Sequence, residues 1–297
     1  MRRRVGWGIL GAAHIARRAL LPAIRESSNG RIVAMASRDP ARATEMLSPY
    51  PDAKALDSYE ALLADPEVEA VYNPLPNTLH KEWTVRALEA GKHVLCEKPI
   101  AVNARDAEEM AATAERTGRY LMEAFMYRFH PSVRDFIGGI RDVLHVEAGF
   151  GFTARNPADI RLNRELGGGA LLDVGCYTVS VSRWILGEPV GVAAGARMGD
   201  GVDLSTSALL TFADGASASV WCSVESPEEE RLLVVTRAGV LERVKPFTSR
   251  HDPHDPYRLM AESFADSVLH DRPVAIPPSE SIANMRVLDR IRAATTR

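Results

Sequence analysis

Short apolar runs alternate with helical patterns along the first 124 residues, and this alternation limits the possible folds more than any other feature. The runs that predict strands are VGWGIL (5–10), RIVAMAS (31–37), AVYN (70–73), HVLC (93–96) and YLMEAF (120–125). Helical patterns fall between them, over 14–25, from Pro40, and over 58–65, 79–90 and 103–117. Strands joined by helices lie parallel with right-handed crossovers, so residues 1–124 are predicted to form a doubly wound α/β domain.

Residues 125–297 have a different rhythm and predict a second, α+β domain. VLHVEAGFGF (143–152) precedes a glycine cluster and a helix over 169–186, and closing helices are expected over 256–270 and 279–294. The strand-like segments between these helices are AAGARM, STSALLTF, ASASVWCSVE, RLLVVTR and GVLERV. Such a succession is typical of neighbouring antiparallel strands. Few helices remain to cover the sheet, so an open face that joins subunits into a homodimer or homotetramer is predicted.

Composition and charge favour a small-molecule partner. The 297 residues include 36 basic and 39 acidic side chains, well mixed, with a formal net charge of -3. This balance gives no broad basic face for nucleic acid. The basic N-terminal segment has an apolar run that is interrupted by His14 and Arg17, so neither a signal peptide nor a membrane span is expected and a cytoplasmic protein is predicted. Cys96, Cys176 and Cys222 lack paired metal spacing and are expected to be reduced, structural thiols.

The first strand leads into a turn of small residues, GAAHIA (11–16), which is a G-x-A-x-x-A variant of a dinucleotide fingerprint. Small residues let the backbone approach a pyrophosphate, and the following helix supplies N–H groups and the positive end of its dipole. The position after a strand and at the start of a helix is the context that the motif requires. The candidate cofactor contacts in the turn are Gly11, Ala12, Ala13, His14 and Ile15.

The second strand ends in Ser37-Arg38-Asp39, where an NAD-specific fold carries an acidic residue for the ribose 2′-hydroxyl. A hydroxyl and a guanidinium suit a 2′-phosphate instead. The pattern therefore predicts that Ser37 and Arg38 bind NADP, with NAD the less suitable cofactor. The alternative is that Arg38 is only solvated and that Asp39 caps the helix beginning at Pro40.

The strand HVLC runs directly into Glu97-Lys98-Pro99, which places two charges where a core strand ends. Unpaired charges are costly to bury, and the carboxyl ends of strands in a doubly wound sheet face the ligand crevice. The two charges are therefore expected to be presented to a site, with a solvated surface pair as the alternative. PLPNTLH (74–80) follows the preceding strand and should reach the same edge.

Four segments carry a resemblance to a known family: GILGAAHIA, PLPNTLH, CEKPIA and GGGALLDVGCY (167–177). They occur in order along nearly the whole chain, which resembles the glucose-fructose oxidoreductase / inositol dehydrogenase / MocA (Gfo/Idh/MocA) family. The chain is most similar to the branch of dimeric dihydrodiol dehydrogenases and NADP-dependent D-xylose dehydrogenases. The resemblance implies an NAD(P)-dependent enzyme acting on CH–OH groups, with a Rossmann domain followed by an open-faced sheet domain.

The resemblance also implies catalytic roles for three residues. Lys98 would contact the substrate hydroxyl and the nicotinamide neighbourhood, while Glu97 would anchor the loop or the ribose. The family's second motif, an aspartate followed four residues later by histidine or tyrosine, is here Asp173 and Tyr177. A spacing of four places both side chains on one helix face, so Asp173 can orient Lys98 while Tyr177 exchanges the proton. The alternative for Tyr177 is a core tyrosine on an apolar helix.

Further ligand contacts follow from the same resemblance. The additional candidate cofactor contacts are Leu75, Pro76, Asn77, His80 and Arg128. The additional candidate substrate contacts are Met126, Tyr127, Phe152 and Arg161. Arg161 could equally be solvated. No metal site is expected, because no partner ligands stand at suitable spacing from His80.

Together these residues predict an NADP-dependent oxidoreductase that moves hydride between nicotinamide and a secondary alcohol or hemiacetal. The substrate would be a sugar, a cyclic polyol or a trans-dihydrodiol. Three alternatives stay open: a keto-sugar reductase of deoxysugar biosynthesis, an enzyme of NAD-dependent glycoside cleavage, and a non-enzymatic NAD(P)-dependent sensor of the same fold. Intact Lys98, Asp173 and Tyr177 favour an enzyme, because a sensor needs no proton-transfer pair. Substrate identity and direction carry no motif. The segment between Glu225 and Tyr257 is short for the family, as if strands or a loop were trimmed, so the sequence does not define the outer wall of the substrate pocket or the oligomer interface.

Overall fold

The structure is a computed structural model that describes residues 3–247 and 253–295. Its contacts divide the chain into two compact units. Unit 1 comprises the chain up to Ile100, Asp106–Phe129 and Pro253–Ser281, and unit 2 comprises Ala101–Arg105, the chain from His130 to residue 247, and the residues from Ile282 onward. This division differs from the single boundary predicted between residues 124 and 125, because unit 1 includes a segment from the C-terminal part of the sequence.

Unit 1 contains a six-stranded parallel sheet with helices in its crossovers. Its strands are β1 (Val5–Leu10), β2 (Gly30–Ala36), β3 (Lys54–Leu56), β4 (Ala70–Asn73), β5 (His93–Cys96) and β6 (Leu121–Glu123). Its helices are α1 (Leu21–Glu26), preceded by a π-helical turn at Ala16–Leu20, α2 (Pro40–Leu47), α3 (Tyr59–Ala64), α4 (Asn77–Glu89) and α5 (Ala104–Thr117). The strand order β3-β2-β1-β4-β5-β6 confirms the predicted doubly wound fold. The sequence does not predict β3, which is a three-residue edge strand.

Unit 2 contains a six-stranded mixed sheet. Its helices are α6 (Pro131–Gly138) and α7 (Cys176–Leu186), and α7 continues a π-helical turn at Leu171–Gly175. Its strands are β7 (Val143–Thr153), β8 (Gly191–Gly199), β9 (Val202–Thr211), β10 (Ser217–Ser223), β11 (Glu225–Thr236) and β12 (Gly239–Val244). α7 packs against β7 and β10 and so covers one face of the sheet. The predicted α+β architecture is confirmed, although the sequence does not predict α6.

The strand order of the second sheet, β12-β11-β7-β10-β9-β8, differs from the predicted succession of antiparallel neighbours at one place. β7 lies between β10 and β11 and pairs parallel with the former and antiparallel with the latter. Only Val224 separates β10 from β11, and its carbonyl accepts the Ala154 N–H at 2.8 Å, just beyond the end of β7. The chain therefore passes over the end of β7 instead of turning back. Pro227 lies within a register shift of β11 and does not end that strand.

Two closing helices, α8 (Pro256–His270) and α9 (Pro278–Thr295), match the predicted ones. α8 belongs to unit 1, where it contacts α1, β1 and β2. The ring centres of Trp7 and Phe264 lie 5.6 Å apart, and both side chains are fully buried. The apolar face of α8 is thus part of the core of the parallel-sheet unit, which is the physical reason that the units are not separated at residue 124.

The sheet of unit 2 leaves one face uncovered by its own helices. Leu209 on β9 is 45% exposed while its neighbour Leu210 is fully buried, as expected for alternate faces of a strand. A shallow cavity of about 790 Å³ over this face is lined by residues that include Glu147, Leu209 and Trp221. The predicted role of this face in joining subunits stays a prediction.

We expect the protein to be a dimer or larger oligomer in light scattering at micromolar concentration, and we expect Leu209→Glu to shift it toward the monomer. The reason is that an unpaired carboxylate buried in an apolar interface costs several kcal/mol. The matched control is Ile160→Glu, since Ile160 is also 45% exposed but lies in a short 3₁₀ turn of unit 2. A monomeric wild-type protein would contradict the prediction.

Candidate active site

The turn after β1 is the first element of the candidate site in unit 1. Gly11 has a φ of 81°, in the left-handed region, and its N–H donates to the Ala36 carbonyl at 2.7 Å. This φ disfavours any residue with a side chain, and a Cβ atom here would also lie 2.8 Å from Cδ2 of Leu75, which would have to shift. The helical segment begins at His14, which is exposed. Three further predicted cofactor contacts are partly exposed: Ala12, Ala13 and Ile15.

The end of β2 presents a guanidinium rather than a carboxylate. Asp39 accepts the Ala41 N–H at 3.1 Å and caps α2, and the buried Ser37 hydroxyl oxygen accepts the Asp39 N–H at 3.2 Å. Arg38 is exposed and hydrogen-bonded to the Tyr59 hydroxyl. Burial raises the pKa of Tyr59, and the Arg38 charge opposes that rise. Asp39, the acidic residue of this segment, is therefore engaged in capping α2.

A second guanidinium, which the sequence does not predict as a site residue, reaches the glycine turn. Arg42, in the first turn of α2, donates through Nη2 to the Ala12 carbonyl at 3.3 Å. The only sequence signal that could have indicated Arg42 is its position, four residues after Arg38 and at the start of a helix. No local pattern distinguishes such an arginine from a solvated one.

His80 on α4 links two loops at the carboxyl edge of the parallel sheet. Its Nδ1 lies 2.8 Å from the Pro99 carbonyl oxygen, and its Nε2 lies 2.8 Å from the Leu75 carbonyl oxygen. The ring is 1% exposed, and burial lowers its pKa to about 4. A neutral imidazole can donate to only one of the two carbonyls. The structure places His80 inside the protein, where it binds the carbonyl of Leu75, next to the predicted cofactor contacts Pro76, which caps α4, and Asn77, which begins it.

Both oxygens of the Glu97 carboxylate are paired. Oε1 accepts the Tyr72 hydroxyl at 2.5 Å, and Oε2 accepts the Lys98 N–H at 3.1 Å. Glu97 is 8% exposed, whereas Lys98 is partly exposed. The Lys98–Pro99 peptide bond is cis. Of the two charged side chains at the end of β5, Glu97 is therefore buried and hydrogen-bonded, whereas Lys98 stays partly accessible.

The segment after β6, which carries two predicted substrate contacts, is largely buried. Met126 and Tyr127 are 5% and 1% exposed, in a 3₁₀ turn, Met126–Phe129, that contacts α8. Their contact with substrate stays a prediction. Arg128 is partly exposed, and its Nη1 lies 3.6 Å from Oε2 of Glu280.

The glycine cluster of unit 2 fits closely against Asp203. Gly169 has a φ of 114°, and its N–H donates to the Arg161 carbonyl at 2.8 Å. A Cβ atom at Gly169 would lie 2.2 Å from Oδ1 of Asp203. Asp203 accepts the Leu171 N–H at 2.7 Å, and burial raises its pKa while its hydrogen bonds oppose that rise. Asp203 therefore fixes the start of the π-helical turn, a role that no local sequence signal indicates.

Arg161 lies between two carboxylates of unit 2. Its Nε donates to Oδ2 of Asp173 at 2.8 Å, and its Nη1 donates to Oδ2 of Asp159 at 3.1 Å. The guanidinium carbon lies 5.2 Å from the centre of the Phe152 ring. Asp173 is the main cause of a raised pKa at Arg161. The structure thus brings together three predicted substrate contacts, and the two carboxylates and one guanidinium carry a formal charge of about −1 at neutral pH.

Asp173 and Tyr177 lie on either side of a change in helix type. Asp173 is in the π-helical turn and Tyr177 is in the first turn of α7. The spacing rule used for the prediction assumes a continuous α-helix, whereas i→i+5 hydrogen bonds widen the turn between the two residues. Tyr177 is 7% exposed, and its ring centre lies 5.5 Å from that of Phe150 and 5.4 Å from that of Phe247. Aromatic packing therefore restricts the orientation of its ring.

Within residues 3–247 and 253–295, no helix combines the length and the apolar character that crossing a bilayer would require. Over the same part of the chain, no group of three or more His, Cys, Asp or Glu side chains is placed to hold a metal ion. The free thiols of Cys96, Cys176 and Cys222 are buried, and burial raises the pKa of Cys96 and of Cys222.

Two family profiles match the chain in succession. Residues 5–125 match the Gfo/Idh/MocA oxidoreductase family with an NAD-binding Rossmann fold, and residues 137–242 match the Gfo/Idh/MocA C-terminal domain. The chain is 38% identical over 311 residues to D-xylose 1-dehydrogenase (NADP(+)) 2 from Haloferax volcanii, covering 96% of this chain and 95% of that protein. It is 38% identical over 231 residues to trans-1,2-dihydrobenzene-1,2-diol dehydrogenase from Mus musculus, covering 74% of this chain and 68% of that protein.

A solved structure is similar over nearly the full length. The 3-ketoreductase from Actinomadura kijaniata, in complex with NADP and TDP-benzene, matches with a TM-score of 0.91 and 31% sequence identity. The match covers 98% of each chain.

His80 should make the fold sensitive to acid. Its folded-state pKa of about 4 lies below the ordinary value of 6.5, so the stabilisation is present above pH 6.5 and is lost as the pH falls toward 4. This contribution should fall by about 2 kcal/mol between pH 7 and pH 5. Urea denaturation at these two values should show a loss that is smaller by about that amount in His80→Gln. The exposed His270 provides the control, and equal acid losses in wild type and His80→Gln would contradict the assignment.

Proposed function

We propose that this chain, which belongs to the Gfo/Idh/MocA family of oxidoreductases, is an NADP-dependent dehydrogenase or reductase of neutral, hydroxyl-rich substrates such as sugars, cyclic polyols or trans-dihydrodiols. Family membership makes it an enzyme that acts on sugar hydroxyl or keto groups. The observation that carries the proposed chemistry is the turn of residues 97–100, called the lysine turn below. In it Glu97 is paired and buried, while Lys98 is accessible at the carboxyl end of β5.

Unit 1 has the features that NADP requires. The left-handed Gly11 lets the backbone come close to a pyrophosphate, and the helix that begins at His14 directs its positive end there. Arg38 and Arg42 offer positive charge to a 2′-phosphate, while Asp39 is engaged as a helix cap. When bound, the nicotinamide accepts or supplies the hydride, which protein side chains cannot do.

Lys98 and Tyr177 would act on the substrate oxygen. During oxidation the C–H bond breaks with its electron pair, the O–H proton leaves and a C=O bond forms. Lys98 stabilises the negative charge that develops on the oxygen. The ionised form of Tyr177 accepts the proton, and the neutral tyrosine that results returns it in the reverse reaction. Arg161 keeps the Asp173 carboxylate oriented within unit 2.

The charges of unit 2 support a neutral substrate. Arg161 is already bound to Asp159 and Asp173, so an anionic group would find no uncompensated cation at this position. Carboxylate oxygens accept hydrogen bonds, and a polyol supplies hydroxyl donors. Phe152, which is partly exposed, offers an apolar surface on which C–H groups of a sugar ring or a dihydrodiol can pack.

A reductase of nucleotide-linked keto-sugars is the second candidate. The observation that favours it is the likeness to the Actinomadura kijaniata enzyme, whose structure holds TDP-benzene. The two candidates require different charges around the substrate, because a diphosphate needs cations that are free to bind it.

A substrate panel distinguishes these functions. Aldoses including D-xylose, inositols and trans-dihydrodiols would be tested with NADP and with NAD, and TDP-linked keto-sugars with NADPH, by following NADPH absorbance. We expect NADP reduction with at least one neutral aldose, polyol or dihydrodiol. Turnover only with a nucleotide-linked keto-sugar would favour the second candidate, and the absence of turnover with any substrate would refute both.

Lys98→Met should reduce kcat by about 10²- to 10³-fold, the scale of one oriented electrostatic donor, while leaving the Kd for NADPH nearly unchanged. Tyr177→Phe should have a similar effect, and the double variant should be far from additive if the two groups act in one proton transfer. The measurements are steady-state kinetics and fluorescence titration with NADPH.

Two surface residues provide controls for these variants. Lys54→Met removes an ammonium that pairs with Asp65 and Glu67, and Tyr50→Phe removes a hydroxyl from a ring that packs against Arg25. Both should keep the wild-type kcat. Normal turnover in Lys98→Met would limit Lys98 to a structural role.

Arg38→Ala should weaken NADP binding by about 10- to 150-fold and leave NAD binding almost unchanged. The basis is that a hydrogen bond to a charged group contributes about 1.5–3 kcal/mol. Dissociation constants for both cofactors would be measured by fluorescence quenching, with Arg31→Ala at the opposite end of β2 as the control. Equal losses for NADP and NAD would show that Arg38 does not select the 2′-phosphate.

A further inference from the structure

Glu123 is a buried acid that has no role in the reaction proposed above. It ends β6 and pairs in register with Cys96, the last residue of β5. Its side chain is 1% exposed, and Oε1 accepts the Ile100 N–H at 2.8 Å. Ile100 follows Lys98 by two residues. Glu97 therefore binds the backbone at the start of this turn, and Glu123 binds it at the end.

The second oxygen of Glu123 is in a different environment. Oε2 is buried and has no hydrogen-bond partner among the residues that the structure describes. The Ser281 hydroxyl, near the start of α9, is likewise buried without a hydrogen-bond partner among the described residues. It lies close enough to lower the pKa of Glu123. Arg128, which pairs with Glu280, also favours the ionised form of Glu123, while Glu97 opposes it.

Burial is the largest influence on this carboxyl and raises the pKa of Glu123 from 4.5 to about 7. Both protonation states can be satisfied locally, because a protonated Oε2 can donate to the Ser281 oxygen and an ionised Oε2 can accept from the Ser281 hydroxyl. The neighbouring Cys96 thiol does not compete for this ionisation, since burial raises the pKa of Cys96 well above its ordinary value.

The two states of Glu123 differ in how firmly they hold the turn. A hydrogen bond from an N–H to an ionised carboxylate is roughly twice as strong as one between neutral groups. Ionisation should therefore tighten the contact with Ile100. His80 contacts the same turn at the Pro99 carbonyl, but its pKa of about 4 keeps it neutral where Glu123 changes charge.

We propose that Glu123 is a positioning residue for the lysine turn: its carboxyl fixes Lys98 through the Ile100 N–H, and ionisation of that carboxyl raises turnover. The inference rests on the proposed function, because it takes Lys98 to act on the substrate oxygen. It goes beyond that function in assigning part of the pH dependence to a buried side chain that acts through the backbone of the turn.

The kinetic test compares the pH profiles of kcat for wild type and Glu123→Gln. Wild-type kcat should rise with pH through an inflection near 7, and this inflection should be absent in Glu123→Gln, which keeps an acceptor for the Ile100 N–H but cannot ionise. Glu123→Ala removes the acceptor and should lower kcat at every pH by up to about 10²-fold, with the Kd for NADPH unchanged. The control is Glu109→Gln, because Glu109 is a surface residue, 53% exposed, that pairs with Lys81.

A second measurement does not depend on activity. In protein containing isotope-labelled isoleucine, the Ile100 amide resonance should titrate near pH 7 in wild type and not in Glu123→Gln. If Glu123→Ala fails to fold, this titration and the profile of Glu123→Gln decide the matter.

The outcomes separate the two proposals. An Ile100 amide that does not titrate, or a kcat inflection that persists unchanged in Glu123→Gln, would overturn the inference. A titrating Ile100 amide resonance in a protein that turns over none of the panel substrates would support the binding of the lysine turn by Glu123. It would refute the proposed function instead.

Discussion

The candidate site of unit 1 depends on the pairing of one buried carboxylate. Glu97 accepts the Tyr72 hydroxyl and the Lys98 N–H, so β5 can end on two charges without leaving a charge unsatisfied in the core. Without these donors, desolvation at a position only 8% exposed would strongly disfavour the ionised form. Lys98 is partly exposed next to this anchor, and the hydrogen bond from its own N–H to Glu97 fixes the backbone from which the lysine side chain departs.

Local sequence pattern is sufficient for the elements and turns but not for contacts between distant residues. The parallel strands and the Gly11 turn follow from apolar alternation and small residues, and both are found where they are predicted. The central place of β7 depends on pairings with β10 and β11, which no short pattern encodes. Asp203, Glu123 and Arg42 act on backbone groups 32, 23 and 30 residues away, so no spacing rule reveals them.

Unit 2 shows why the segment GGGALLDVGCY has a recognisable form, and the two family profiles confirm the resemblance that this segment helps to carry. Gly169 permits an approach to Asp203 that a Cβ atom would block. Asp173 binds the guanidinium of Arg161, and Tyr177 is enclosed by aromatic rings. Close approach, ion pairing and aromatic packing each require a particular residue type at these positions.

The packing of α8 on β1 affects how the protein can be made. A growing chain leaves the ribosome with its N-terminus first, and most multidomain proteins fold their first domain before the next is synthesised. Here Trp7 is covered by Phe264, so the parallel sheet lacks part of its core until α8 has left the ribosome. A nascent chain that ends after β6 would expose this apolar surface, and such surfaces are what chaperones bind.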